Sequence, residues 1–187
     1  MPHHFASRHM FGHPNMNPVT DIDHTDLWVI VDGKPMAPNG NIMTVPDISN
    51  RLKAIQKRGG KVIVIDPRRT ETASKADQHI FIMPGTDGWL FAGMLNYILE
   101  QGWANLEHLG ASLDGLDVLK EKIKPFSIET AAEQTGINLD VLKTLAKEIA
   151  QTDKAALYGR MGVSTQAFGS LNQWLINTIN VVAGNMD

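Results

Sequence analysis

The chain has 187 residues, of which 43% are hydrophobic and 20% charged, with a formal net charge of −3. These values are typical of a globular domain with its own core, and the slightly acidic balance argues against a non-specific nucleic-acid binder. The absence of cysteine excludes disulfides, thiolate nucleophiles and iron–sulfur ligation by this chain. No apolar run is long enough to predict a membrane span.

Residues 1–20 are polar and interrupted by Pro and Gly, so we predict an irregular lead-in to a domain that covers residues 21–187. The segment has no apolar stretch of the kind that forms the centre of a signal peptide. Its histidines are His3, His4, His9 and His13. Gly12 and Pro14 interrupt the helix that a pair of metal ligands four residues apart would need, so no metal site is predicted.

A strand–helix–strand unit follows the lead-in. Leu27–Asp32 is almost continuously apolar, as expected for a strand buried on both faces. Pro46 is suited to the first position of a helix, and an apolar stripe continues to a stop at Gly59. Lys61–Asp66 is the second buried strand. This spacing predicts a right-handed βαβ unit.

The rest of the chain continues the alternation of strands and helices. The predicted elements are a strand at His79–Met83, a helix from about Thr86 to Gln101, a helical section at about 105–151, a strand at Ala155–Gly159 and a helix from about Ser170 to Ala183. The pattern predicts a doubly wound, mainly parallel α/β sheet of Rossmann-like type, with helices on both faces and a helical insertion.

Ligands of open parallel sheets bind beyond the carboxyl ends of the strands. Four predicted loops lie there, after Val31, Ile65, Met83 and Tyr158, and all are rich in Gly, Pro, Asp or Thr. This agreement among four loops is a stronger indication of a binding site than any single loop.

The loop after the second strand contains Asp66, Arg68 and Arg69. An acid at this position is suited to accept hydrogen bonds from two ribose hydroxyls, although it is also a common turn residue. A guanidinium can bind phosphate through two hydrogen bonds, but surface arginines are commonly solvated or paired with nearby acids such as Glu71 and Asp77. The residues alone leave both alternatives open.

The stretch that precedes the long helix contains Gly85, Thr86 and Asp87. Thr86 is suited to be the N-cap, and the helix dipole favours an acid at Asp87. The Asp87 carboxylate is also suited to accept two N–H groups from one edge of a guanine. Both interpretations remain open at this point.

The loop after the fourth strand has Gly159 and Gly162 in a G-x-x-G spacing, followed by Ser164, Thr165 and Gln166. Such a backbone can approach a phosphate or pterin closely, or simply form a flexible turn. No G-x-G-x-x-G follows the first strand, which argues against the usual NAD site, and no P-loop motif exists. No nucleophile–base–orienter set can be assembled, so no catalytic residue is predicted.

Taken together, these motifs resemble one region of the molybdopterin oxidoreductases, the superfamily of dimethyl sulfoxide reductase, formate dehydrogenase and nitrate reductase. The DPRRTETA and PGTD motifs at their mutual spacing are the most specific part of the resemblance. The similar segments are His9–Gly12, Pro18–Pro35, Asn39–Asp47, Arg58–Asp87, YGRMGVSTQAFG and the closing LNQWLINTINVVAGNMD.

The resemblance implies a large multidomain enzyme that binds two molybdopterin guanine dinucleotides around molybdenum or tungsten, with this segment gripping one of them. It implies Asp66 near the guanosine ribose, Arg68 near the dinucleotide and Asp87 at the guanine edge. The loop around Gly33 would pass near the phosphates, and the loop around Gly162 would lie towards the cofactor. The full set of candidate cofactor-binding residues is Gly33, Lys34, Asp66, Arg68, Arg69, Gly85, Thr86, Asp87, Gly159, Gly162 and Gln166.

The chain departs from the family pattern after the first strand, where Gly33-Lys34-Pro35 replaces the usual Gly-x-Asn-Pro. We expect Lys34 to compensate electrostatically for the missing Asn. Because the chain lacks the metal ligand and the other domains of the family, we expect a fragment that is not catalytic alone. Its expected partners are the remaining domains of the parent enzyme or a second copy bound through exposed apolar faces.

Two alternatives to a dinucleotide-binding fragment remain: a generic nucleotide-binding module, for NAD or a mononucleotide, and a non-catalytic scaffold or interaction domain. The sequence leaves localisation open between cytoplasm and periplasm, with the cytoplasm slightly favoured.

Overall fold

The computed structural model describes residues 1–37 and 41–186. Asn39 and Gly40, which open one of the similar segments, and the terminal Asp187 lie outside the described residues. The strands are β1 (Leu27–Val31), β2 (Lys61–Ile65), β3 (Gln78–Ile80) and β4 (Ala155–Gly159).

The strands form one sheet in the order β3-β2-β1-β4, and every pair is parallel. Val31 at the end of β1 is level with Ile65 of β2 and with Gly159 of β4. The carboxyl ends of three adjacent strands therefore lie side by side, and the loops that follow them begin at one edge of the sheet.

The helices are α1 (Pro2–Phe11), α2 (Ile48–Lys57), α3 (Asp87–Glu100), α4 (Leu116–Ile123), α5 (Ile128–Thr135), α6 (Leu139–Gln151), α7 (Met161–Ser164) and α8 (Gly169–Val182), with 3-10 turns at Asn41–Met43 and Glu107–Ser112. Within the described ranges, none of them has both the length and the hydropathy that crossing a bilayer requires.

Helices cover both faces of the sheet. Successive side chains of a strand point to opposite sides, and those of β1 are buried on both sides. Trp28 and Ile30 of β1 belong to a core cluster with Leu52 and Ile55 of α2. Leu27, Val29 and Val31 point to the opposite face of the sheet. They belong to a second core cluster, which includes residues of α3, α5, α6 and α8. The doubly wound α/β fold is thus confirmed, and its sheet is entirely rather than mainly parallel.

The predicted irregular lead-in is wrong for its first half, which forms α1. Pro2 lies at the start of the helix, where proline costs no hydrogen bond. Gly12 follows its last residue in the left-handed conformation, with φ 80°, and its N–H donates to the Arg8 carbonyl. Gly12 therefore ends a helix that precedes it, rather than preventing one.

The third strand is shorter than predicted, ending at Ile80 instead of Met83. Beyond Ile80 the chain leaves the sheet: Phe81 and Met83 are more than half exposed, and the Met83 N–H donates to the Thr135 carbonyl. This contact joins the end of β3 to α5.

The helical section at about 105–151 contains α4, α5 and α6. The Ser127 side chain accepts a hydrogen bond from the Thr130 N–H at the start of α5, and Gly136 ends that helix in the left-handed conformation. The helix packs closely on α3, since a Cβ at Gly93 would lie 2.4 Å from the Ala131 Cβ. This packing fixes the helix that opens with Asp87.

Candidate functional site

Three polar side chains from distant parts of the sequence meet at the carboxyl edge of the sheet. Asp32 follows β1, Asp87 opens α3, and Gln166 lies between α7 and α8. The Gln166 Nε2 donates to Asp32 Oδ2 at 3.3 Å and to the Gly162 carbonyl at 3.0 Å, and makes a short hydrogen bond to Asp87 Oδ2. We call Asp32, Gln166 and Asp87 the Asp–Gln–Asp cluster.

Asp87 is buried in this cluster, with 1% of its surface exposed. Its Oδ2 accepts from Gln166, whereas its Oδ1 is buried without a hydrogen-bond partner. Thr86 occupies the N-cap position, but its hydroxyl donates to the Met83 carbonyl at 2.6 Å and does not cap the helix. The side-chain cap predicted for Thr86 is therefore wrong.

Asp32 is held on both sides by the backbone. It adopts the left-handed conformation with φ 48°, which Asp tolerates better than most residues. Its N–H donates to the Ile65 carbonyl at 2.9 Å, and its carbonyl accepts from the Gly162 N–H at 3.3 Å. Local sequence patterns do not single out Asp32, and the signal available for it is an acid at the end of a central parallel strand.

The electrostatics of the cluster follow from its burial. Burial, followed by the neighbouring charges of Asp87 and Asp66, raises the pKa of Asp32 to about 7. Burial also raises the pKa of Asp87, while the hydrogen bond from Gln166 lowers it. These carboxyls are close enough for the proton of one to affect the other.

Asp66 is also buried, with 4% of its surface exposed. Its Oδ1 accepts from the Arg68 N–H at 2.8 Å, which is the geometry of a turn stabilised by an aspartate. The His79 ring contacts the Asp66 carbonyl, with 3.0 Å between Nε2 and the oxygen. The turn role is therefore real, and it leaves Oδ2 available for a ligand.

Arg68 and Arg69 are exposed at the tip of this turn. Among the ion pairs of the described residues, none includes either arginine. Asp77, suggested above as a partner, instead accepts from the Val62 N–H and from Gln56. Gly85 and Lys34 are exposed as well.

The glycines of the first and last loops are required by internal packing. A Cβ at Gly162 would lie 2.6 Å from the Asp32 Cβ, and one at Gly159 would lie 2.4 Å from Ile176 Cδ1. A Cβ at Gly33 would lie 3.0 Å from Ile30 Cγ2. Protein atoms therefore occupy the space beside these three Cα atoms where a side chain would lie.

Other features of the surface lie apart from the cluster. A cleft of about 740 Å³ lies along β4 between α1 and α8, and Arg160 is the residue of the loop after β4 that lines it. In the part of the chain that the structure describes, no group of three or more His, Cys, Asp or Glu side chains could hold a metal ion.

Comparison with known proteins identifies the family. The family model for molybdopterin oxidoreductases matches residues 3–187. The chain belongs to the molybdopterin oxidoreductase family. Its relatives include the alpha subunit of F420-dependent formate dehydrogenase 2 from Methanococcus maripaludis, 28% identical over 91% of this chain and 24% of that protein. The probable oxidoreductase YjgC from Bacillus subtilis is 33% identical over 89% of this chain and 16% of that protein.

A solved structure shows the same fold. Acetylene hydratase from Pelobacter acetylenicus superposes with a TM-score of 0.82 and 24% sequence identity, over 99% of this chain and 24% of that chain. This chain thus spans a quarter or less of the length of the relatives described here. The resemblance seen in the sequence is confirmed at the level of family and fold.

Proposed function

We propose that this chain binds the guanosine end of a molybdopterin guanine dinucleotide, as one part of a larger molybdenum or tungsten oxidoreductase. Family membership supports a molybdenum or tungsten pterin cofactor in the parent enzyme. The guanine dinucleotide form and the residues that hold it are our proposal.

The Asp87 carboxylate carries the proposal. A buried acceptor without a partner costs on the order of 1–3 kcal/mol, and more when it is charged, so the orphaned Oδ1 favours a ligand that supplies a donor. Guanine presents two donors, N1–H and the 2-amino group, along one edge. Gln166 holds Oδ2 in place and leaves it lone-pair capacity, so both oxygens can accept from that edge.

The turn after β2 is suited to the ribose and phosphates. Asp66 keeps one oxygen for a ribose hydroxyl while the other holds the turn. Arg68, Arg69 and Lys34 are exposed cations on the adjacent loops, and these suit a pyrophosphate. The residues present therefore fit the nucleotide end of the cofactor, and the chain positions it without carrying out the reaction.

The bound cofactor would supply the redox chemistry of the parent through its metal, and the remaining domains would complete its enclosure. Exposed apolar side chains at this end of the sheet, Met161, Phe168 and Leu171, are proposed contacts for those domains or for a second copy. A light-scattering mass equal to the monomer at high concentration would argue against the second copy.

Calorimetric titration with guanosine diphosphate tests the binding. We expect weak binding, with a Kd of about 1 mM, because the other domains supply part of the enclosing surface. Adenosine diphosphate should bind more weakly. NADH binding tighter than that of guanosine diphosphate would instead favour a generic nucleotide-binding module.

An exchange of hydrogen-bonding groups tests the guanine edge itself. Asp87→Asn replaces one acceptor oxygen by an NH₂ donor, which opposes the 2-amino group of guanine and matches the 2-oxo group of xanthine. We expect guanosine diphosphate binding to fall about 10- to 100-fold, since hydrogen bonds to charged groups contribute about 1.5–3 kcal/mol. Xanthosine diphosphate should become the preferred ligand. An unchanged preference would refute the role of Asp87.

A further inference from the structure

We propose that Asp32 is a specificity-determining residue of the guanosine site, which holds a proton beside Asp87 and thereby admits a ligand with negatively charged phosphates. The inference rests on the proposed function and adds to it a residue and a range of pH. It also explains why three carboxyls can lie at one edge of the sheet in a site for an anion.

The backbone keeps the Asp32 side chain in the cluster. Hydrogen bonds to Ile65 and Gly162 fix its backbone on both sides. The Gly162 Cα lies against the side chain, where an added Cβ would be 2.8 Å from Asp32 Oδ2. Asp32 therefore cannot easily turn towards solvent when its charge changes.

The hydrogen bonds of Gln166 call for a proton between the two acids. Its Nε2 is within hydrogen-bonding distance of Asp32 Oδ2, Asp87 Oδ2 and the Gly162 carbonyl. A primary amide has only two N–H bonds for these three acceptors. If both acids were ionised, two negative charges would compete for the N–H bonds of one amide. A proton on either acid supplies the missing hydrogen bond.

The surrounding charges favour Asp32 as the holder of that proton. Asp87 and Asp66 face it with negative charge and Lys34 with positive charge, and burial is the largest cause that brings its pKa to about 7. Asp87 lies in the first turn of α3, where the helix dipole favours the ionised form. Asp32 follows a strand and lacks this stabilisation. Asp87 thus keeps the charge that guanine recognition needs.

The charge of Asp32 matters for the ligand because Gly33 and Lys34 come directly after it, and these residues are proposed to lie near the phosphates. Protonated Asp32 leaves Asp66 and Asp87 as the local anions, opposed by Lys34 and the arginines. When Asp32 is ionised, it becomes a third anion beside them. Repulsion of a pyrophosphate at the distances of adjacent residues should weaken binding about tenfold in a solvent-exposed site.

GDP-mannose is the probe, because its pyrophosphate is esterified at both ends and keeps a constant charge at neutral pH. We expect its affinity for the unmodified chain, by calorimetry, to fall about tenfold between about pH 6 and pH 8.5. Asp32→Asn, which stays neutral and can still donate to Asp87, should keep the affinity constant within about twofold. Asp47→Asn is the matched control, since Asp47 also has a left-handed backbone, with φ 54°, and precedes α2. It should retain the pH dependence.

A ligand-free measurement separates this inference from the proposed function. Carbon-13 NMR of the Asp32 carboxyl should show titration near neutral pH, and titration at the ordinary aspartate value would overturn the inference. An Asp32→Asn variant that keeps the full pH dependence would also overturn it. If GDP-mannose binds no better than ADP-glucose at any pH, the proposed function fails and so does the ligand role of Asp32, while the NMR titration alone decides whether Asp32 holds the proton.

Discussion

The Asp–Gln–Asp cluster and the turn after β2 lie at the same edge of the sheet but are built in opposite ways. The cluster joins a strand end, a helix start and a loop through one half-buried amide. The turn is local: Asp66 holds the backbone of Arg68, and the arginine side chains extend into solvent. The first region is assembled before any ligand arrives, and the second presents free charge.

The difference matters for how a nucleotide would be recognised. A buried acceptor held by neighbours gives base specificity, because a wrong base leaves it unpaired. Exposed cations attract phosphates of any nucleotide and are screened by salt. Specificity should therefore depend on the cluster and electrostatic attraction on the turn. Substitutions in the cluster should destabilise the fold, whereas those in the turn should not.

Gln166→Ala is the strongest way to break the cluster. It removes the donor shared by two carboxyls and leaves Asp87 Oδ2 without that partner. We expect a loss of about 3 kcal/mol in the free energy of unfolding, measured by urea denaturation, because hydrogen bonds to charged groups contribute about 1.5–3 kcal/mol each.

The matched control is Gln56→Ala. Gln56 Nε2 also donates to an aspartate, Asp77, and to a carbonyl, that of Lys75, but both hydrogen bonds are exposed to solvent, whereas those of Gln166 are partly buried. Its loss should cost less than about 0.5 kcal/mol. Equal costs for the two glutamines would show that burial of the cluster contributes nothing.

Gly162→Ala tests the close packing of the cluster. The added Cβ would lie 2.6 Å from the Asp32 Cβ, so α7 or the end of β1 must move. We expect destabilisation of about 2 kcal/mol, as is typical of overpacking. Replacing Asp32 by Gly in the same chain removes the obstructing atoms and should restore part of the loss. A double-mutant cycle in unfolding free energy measures that coupling, and a coupling near zero would contradict the packing.

The fold could be predicted from the sequence because its determinants are local. Continuous apolar strands such as Leu27–Val31, a capped helix starting at Ser127 and glycine stops specify a parallel α/β sheet without reference to distant residues. Helix α1 is not predicted, because Gly12 and Pro14 interrupt the helical pattern of the first residues, although both follow the last residue of this helix. The end of β3 was misplaced because the Met83–Thr135 hydrogen bond joins distant elements.

The site was only partly predictable for the same physical reason. Asp66, Asp87 and Gln166 each belong to a recognisable loop, so their proximity to the sheet edge could be inferred. Asp32 reads locally as a turn residue before glycine, and its burial against Gly162 depends on a contact 130 residues along the chain. Contacts of that kind are set by tertiary packing, and local patterns do not encode them.

Arg68→Ala should have the smallest effect on stability. The Arg68 side chain is exposed and in no ion pair of the described residues, and the backbone N–H that holds Asp66 is retained in alanine. We expect the free energy of unfolding to stay within about 0.5 kcal/mol. Affinity for guanosine diphosphate should fall about threefold at low salt and less at high salt, because exposed charges are screened.

Lys57→Ala, which removes an exposed cation at the end of α2, should leave the affinity unchanged. If Arg68→Ala destabilises the fold as much as Gln166→Ala, then the turn is as closely built as the cluster, and the separation of specificity from electrostatic attraction is wrong.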